Sequence, residues 1–179
     1  MLSIENTALV IVDVQGKLAT LMHEQEALYK NLVTMVKGAR ALQVPILWME
    51  QLPEKLGPTI PELANELEGL QPMSKATFSC CRHPAFLESL EISNRDQVLL
   101  IGIEAHICVY QTAVDLLSAG LHVEVVTDGV SSRTEANKQV ALDKLATAGV
   151  ELTSVEMCLF ELMQTAAHPG FRQIAQLIK

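Results

Sequence analysis

The sequence predicts a three-layer α/β/α sandwich around a central, mostly parallel, doubly wound sheet of the Rossmann-like kind. Two observations carry this expectation. Strand-like and helix-like segments alternate almost throughout, the pattern that builds a parallel sheet covered by helices on both faces. The strand candidates are also continuous apolar runs, such as ALVIV and VLLIGI, without the polar alternation of a half-solvated sheet.

Taken in order, residues 8–13 form a buried first strand that ends in a carboxylate, Asp13. Residues 24–42 set Leu28, Leu32, Val33 and Val36 at spacings of three and four, which predicts a helix. PILWME at 45–50 is a second buried strand and QVLLIGI at 97–103 a third. A helix over 107–119 closes on Gly120. HVEVVT at 122–127 is the next strand, followed by a helix over 134–148 that closes on Gly149. Residues 151–155 form the last strand, and short helices complete the chain. Between the second and third strands, residues 51–74 carry four of the seven prolines and no strong period. This irregular insertion is placed to serve as an active-site wall or an oligomer contact.

The 179 residues suit a single domain spanning 1–179. Hydrophobic residues at 49% and charged residues at 19% exclude a disordered chain. A net charge of -8 with no Lys/Arg cluster argues against nucleic acid as a partner. The apolar runs fall far short of the ~18 residues a membrane span needs, so no membrane partner is expected. The N-terminus, MLSIENT, lacks the basic region of a signal peptide, which predicts a cytoplasmic protein with reduced thiols. The four cysteines, Cys80, Cys81, Cys108 and Cys158, form no CxxC pair for a zinc cage. GxGxxG, P-loop, HExxH and GxSxG motifs are absent, and His23, His83, His122 and His168 lack ligand spacing. Neither a metal nor another cofactor is expected.

Chemistry points to the ends of the strands. In open α/β sheets, ligands bind beyond the carboxyl ends of the strands where the strand order reverses. Asp13 ends the first strand, and Cys108 follows the third in GIEAHICV, where a helix begins. A thiol at a helix N-terminus feels the positive end of the dipole, which favours the nucleophilic thiolate. Lys75 follows a proline-containing turn. A carboxylate in a dry crevice can accept a thiol proton, and an ammonium beside both offsets the negative charge. Backbone N–H groups before the helix can hold an oxyanion.

Each residue also has a bland reading. Cys108 can be a small buried hydrophobe, Asp13 a turn residue, and Lys75 a solvated surface charge. Cys80, Cys81 and Cys158 read as inert. His106, two residues before Cys108, is the rival proton acceptor. Neighbouring positions at a helix start seldom face each other, which leaves His106 a structural or pocket-lining role. Spacing by itself leaves both readings of the trio open.

Three ordered motifs resemble a known family: V-I-V-D-V-Q at 10–15, M-S-K-A-T-F-S at 73–79 and G-I-E-A-H-I-C-V-Y-Q-T-A at 102–113. They look like the isochorismatase-like hydrolases, which include nicotinamidases, isochorismatases and carbamoylsarcosine amidohydrolases. The likeness covers nearly the whole chain. The stretch E-Q-L-P-E-K-L-G-P-T-I-P-E-L at 50–63 resembles the subgroup of isochorismatase-domain-containing proteins.

The resemblance implies a triad of Asp13, Lys75 and Cys108. Asp13 takes the thiol proton, Lys75 supports the charge, and Cys108 attacks a carbonyl carbon to give an acyl-cysteine that water hydrolyses. It also implies a cis peptide at Ile103–Glu104 and an oxyanion and substrate-binding shell of Ile103, Glu104, Ala105, Gln15 and Phe78. The backbone N–H groups of Ala105 and Cys108 would line the oxyanion site.

Two departures narrow the chemistry. Nicotinamidases carry an Asp-x-His and a further His as a metal site after the second strand. This chain reads W-M-E-Q-L-P-E-K there, with no histidine between His23 and His83. Siderophore-type isochorismatases do not place a cysteine at the position of Cys108. The implied function is a metal-independent cysteine hydrolase of a small-molecule amide or related C–N bond, acting as a homo-oligomer. The alternatives are a catalytically idle binding or assembly module and, more weakly, a thiol redox sensor.

Overall fold

The computed structural model describes residues Met1–Lys179. Its strands are β1 (Thr7–Val12), β2 (Ile46–Gln51), β3 (Met73–Lys75), β4 (Gln97–Ile103), β5 (His122–Ser131) and β6 (Glu151–Thr153). They form one sheet in the order β3-β2-β1-β4-β5-β6. Every pairing is parallel, so the sheet expected to be mostly parallel is wholly so. The order reverses between β1 and β4, which places the ligand-binding crevice of such sheets beside Asp13 and the residues after Ile103.

The pleat sends alternate residues to opposite faces, and each face builds its own core. Leu9 and Ile11 of β1 join Leu99, Ile101 and Trp48 under one helical layer. That layer contains α2 (Gln25–Ala41), α8 (Val155–Met163) and α9 (Phe171–Leu177). Ala8, Val10 and Val12 join Val98, Leu100, Val123 and Val125 on the other face. Their cover is α5 (Pro84–Ser93), α6 (Tyr110–Ser118) and α7 (Glu135–Ala148). All six residues of β1 are buried, which explains why its sequence shows no alternation. No helix is long and apolar enough to cross a membrane.

The structure departs from expectation at several elements. β5 runs on to Ser131 instead of stopping at residue 127, with a register shift opposite Leu100–Gly102. β6 stops at Thr153, two residues short of the expected end. β3 and α5 had no clear signature: β3 is three residues long and carries Ser74 and Lys75, while α5 buries only Phe86 and Leu90. The expected irregular stretch 51–74 holds α3 (Pro53–Leu56), α4 (Pro61–Ala64), a 3-10 turn at Asn65–Leu67 and then β3.

Proline opens both short helices, where its missing N–H is no loss. The insertion is pinned rather than loose. Trp48 Nε1 donates to Thr59 Oγ1 at 2.8 Å, and Glu50 Oε1 accepts from both Thr59 N and Thr59 Oγ1 at 2.7 Å. Ile60, Leu63 and Leu67 plug it into the core.

Candidate active site

Three strand ends build the site. Asp13, one residue beyond β1, sits at φ 53°, in the left-handed region that a non-glycine residue adopts at some strain. Lys75 is the last residue of β3, two strands away, and its side chain is fully buried. It reaches past the end of β2 to Asp13: Nζ lies 2.6 Å from Asp13 Oδ2. The same ammonium donates to Gln51 Oε1 at 2.6 Å and to the Thr77 carbonyl at 3.1 Å. An ammonium has three N–H bonds, and all three are taken.

Cys108 enters from β4. The Ile103–Glu104 peptide is cis, and Ala105–Val109 forms a π-helical turn that leads into α6. Gly102 sets this approach. At φ +122° it lies against β1 so closely that a Cβ would fall 2.1 Å from the Val12 carbonyl oxygen. Only glycine lets the two strand ends meet at that separation. Cys108 is buried, at 7% exposure, in the core beneath α6.

Asp13 and Cys108 lie close enough for each to act on the other's proton. Burial pushes the Asp13 carboxyl above its ordinary range, and Lys75 pulls it back. The Cys108 thiol is pushed far up by burial and further by the Asp13 charge, with Lys75 opposing both. The helix dipole predicts a lowered thiol, whereas burial works in the opposite direction and raises it. Asp13 Oδ1, the oxygen Lys75 does not use, is buried without a hydrogen-bond partner. A buried carboxylate oxygen with an open lone pair can accept a proton.

The other expected residues take varied places. Ile103 and Ala105 are buried in the two cores that flank the strand end. Glu104 is 6% exposed, and its Oε1 accepts from Arg133 Nε at 2.9 Å and from Arg133 N at 3.3 Å. Gln15 is a brace: its Oε1 accepts from Gln51 N at 2.6 Å, and its Nε2 donates to the carbonyls of Gln51 and Gly57. With its amide committed to backbone on both sides, Gln15 offers a ligand nothing. Phe78 stands 54% exposed on the loop after Lys75. His106 Nδ1 lies 2.9 Å from Ser132 Oγ, so this histidine is tied to the end of β5.

Gln51 and Arg133 were not anticipated. The rule that singled out Asp13, a polar residue ending an apolar strand near the switch point, applies equally to Gln51 at the end of β2. The other three cysteines are raised by burial as Cys108 is. Burial raises Cys80 to about 12 and Cys81 to about 11, and drives Cys158 upward as well.

A metal centre does not fit the end of β2. The polar side chains there are Glu50, whose Oε1 is held by Thr59, and Gln51, which is held by Lys75 and the Ala76 carbonyl. No imidazole accompanies them, because the sequence has no histidine between His23 and His83.

A wholly parallel sheet with a carboxylate, an ammonium and a thiol near its switch point defines a doubly wound α/β protein, the class in which ligands bind at that edge. The model of the isochorismatase domain matches residues 7–157, and the chain belongs to the isochorismatase-domain family. Isochorismatase domain-containing protein 2A of Mus musculus is 40% identical over 176 residues, covering 98% of this chain and 84% of that protein. The solved structure of MAR1 ribonuclease from Caenorhabditis elegans superposes with a TM-score of 0.93 at 35% identity, covering 99% of this chain and 91% of that one. The YcaC gene product from Escherichia coli, an octameric hydrolase of unknown specificity, shares the fold with a TM-score of 0.93 at 21% identity, covering 99% of this chain and 88% of that one.

Proposed function

We propose that this protein is a metal-independent cysteine hydrolase that cleaves a small-molecule amide or related C–N bond with Asp13, Lys75 and Cys108. The observation that carries the reading is a buried ammonium 2.6 Å from Asp13 Oδ2, with Asp13 Oδ1 buried and unpartnered and a buried Cys108 thiol that the Asp13 charge raises. Asp13 Oδ1 takes the proton from Cys108 as Sγ bonds to the carbonyl carbon, and the C=O pair moves to oxygen. Backbone N–H groups of Ala105 and Cys108 receive that oxyanion. When the tetrahedral adduct collapses, the C–N bond breaks and the amine leaves with the proton from Asp13. Water, deprotonated in turn by Asp13, attacks the acyl-cysteine, and the departing sulfur regains the proton. The sum is amide plus water giving acid plus amine.

Lys75 holds Asp13 in place through Oδ2. Glu104, and the exposed Phe78 as a wall that a second subunit covers, form the substrate shell. The working protein is a cytoplasmic homo-oligomer, in keeping with the octamer formed by the E. coli fold relative.

The test is a panel of small amides offered to the wild type and to Cys108→Ala, with mass spectrometry of the Cys108 peptide during turnover. Hydrolysis by the wild type alone, with an acyl mass on Cys108, is expected. Equal hydrolysis by both proteins sinks the reading. A second reading follows from the ribonuclease name of the C. elegans relative, with RNA as the substrate. The net charge of -8 and the full engagement of Lys75 weigh against it. Incubating the same two proteins with RNA decides: cleavage by the wild type and not by Cys108→Ala would favour RNA.

A further inference from the structure

We infer that Gln51 is a positioning residue for this site, a neutral acceptor that aims the Lys75 ammonium so that Asp13 can face Cys108. The inference rests on the reading of Asp13, Lys75 and Cys108 as a working unit. Lys75 is flexible by nature, with four methylene groups between backbone and charge, and β3 lies two strands from β1. Something between them must hold the ammonium, and Gln51, at the end of the intervening strand, supplies the contact at 2.6 Å.

The orientation of the Gln51 amide is unambiguous, because its two ends meet opposite requirements. Lys75 only donates, so it must face Oε1; the Ala76 carbonyl only accepts, and Gln51 Nε2 donates to it at 2.9 Å. The strand end that carries Gln51 is locked as well. Gln15 bonds both the N–H and the carbonyl of Gln51, and it also holds Gly57. The insertion, β2 and the ammonium are thus joined through two glutamines in series.

Neutrality is the second half of the inference. A carboxylate at position 51 would also accept from Lys75, but it would place a second negative charge on the one cation that opposes the Asp13 charge. Lys75 lowers the Cys108 thiol and Asp13 raises it, so an added anion there shifts the thiol further up. Glutamine supplies the same acceptor with no charge. Lys75 therefore requires a neutral acceptor, and the Cys108 rate, rather than stability, separates this requirement from the bond Gln51 makes to the Ala76 carbonyl.

The test uses iodoacetamide on the intact protein, with alkylation of Cys108 and Cys81 followed separately by peptide mass spectrometry from pH 7 to 10. Three variants are compared with the wild type: Gln51→Glu, Gln51→Met and Lys75→Met. Gln51→Glu keeps the side-chain length and is expected to slow Cys108 alkylation about tenfold across this range, one pH unit of thiol shift, because the raised thiol stays largely protonated up to pH 10. Gln51→Met removes the acceptor and is expected to slow Cys108 at every pH, while Cys81 reacts as in the wild type in both. If both Gln51 variants alkylate Cys108 at the wild-type rate and only the melting temperature falls, Gln51 is structural and the inference is overturned. Lys75→Met separates the two levels of argument. A wild-type rate there removes the working unit itself, whereas a slow Lys75→Met beside normal Gln51 variants removes only the role of Gln51. Should Gln51→Met fail to fold, the isosteric Gln51→Glu still decides.

Discussion

Replacing Lys75 by methionine keeps most of its volume and removes the only charge that balances Asp13. The side chains of both partners are almost wholly buried, at 0% and 4% exposure, so solvent does not screen the loss. Truncating one partner of a buried ion pair typically destabilises by about 3–5 kcal/mol, because the other charge is left uncompensated. Asp13 has one escape, which is to take up a proton. For a carboxyl with a reference pKa of about 3.9, this uptake costs about 1.4 kcal/mol per pH unit. The penalty is therefore capped at about 4 kcal/mol at pH 7 and about 1.5 kcal/mol at pH 5.

The sign follows from linkage. Asp13 already has a raised folded pKa, and losing Lys75 raises it further. The folded variant then holds a proton that the unfolded chain releases, so its stability is retained at low pH and lost as pH rises through the folded pKa. Urea unfolding of wild type and Lys75→Met at both pH values should show a deficit about 2 kcal/mol larger at pH 7. The double variant Asp13→Asn/Lys75→Met, with no charge left to neutralise, should show no such gap. An equal deficit at pH 5 and pH 7, or a pH gap that persists in the double variant, would refute the claim that Asp13 is the charge Lys75 balances.

Other outcomes follow from the same geometry. Hydrolysis should fall on the acid side at a pH above the ordinary carboxylate range, because the Asp13 carboxyl is raised and must be ionised to accept the thiol proton; a pH–rate profile with its acid limb near 4 would count against Asp13 as the base. Gly102→Ala forces a Cβ to 2.1 Å from the Val12 carbonyl oxygen, so β1 and β4 must part at the switch point; soluble protein of wild-type melting temperature would contradict this. Thr59→Val leaves buried Glu50 without its hydroxyl donor and Trp48 Nε1 without its acceptor; the expected loss is about 1–3 kcal/mol in urea unfolding, and no loss would mean the insertion is not held there. Glu124 is raised by burial beside His122. Native protein therefore loses stability as pH climbs through that raised value, and Glu124→Gln should flatten the trend relative to wild type in thermal melts between pH 4.5 and 8.

Much of this architecture was legible because the buried strands announce themselves. ALVIV and QVLLIGI are apolar on both faces, and the structure buries every residue of β1. The strand-end carboxylate Asp13 was legible for the same reason, since an ionisable residue stands out against such a run. β3 was not: MSK is too short and too polar to register, and its place beside β2 comes from pairing with Met49, Glu50 and Gln51. Gln51 was missed for a different reason. A glutamine has no charge to draw notice, and its role exists only because β3 brings Lys75 next to it, a tertiary fact that no local pattern carries. Cys108 was found but its electrostatics were misjudged. The sequence shows a helix start and hides the depth at which the turn is buried, and burial is the larger effect on the thiol.

The hydrogen-bond accounting at Lys75 also constrains where selectivity must arise. With its three protons given to Asp13, Gln51 and Thr77, the ammonium has none left for a substrate. Any substrate group that needs a cation must find it elsewhere, and Arg133, half exposed and tied to Glu104 through Nε, stands at the end of β5 with its terminal nitrogens unbonded. In the proposed mechanism Asp13 and Cys108 supply proton transfer and nucleophile but little shape. On that reading discrimination between amides falls to exposed residues such as Phe78 rather than to the buried trio. Substitutions at Phe78 and Arg133 should change which amides are cleaved, whereas those at Asp13, Lys75 and Cys108 should lower the rate for all of them. A panel in which Phe78→Ala and Cys108→Ala lose the same substrates in the same proportion would break that division.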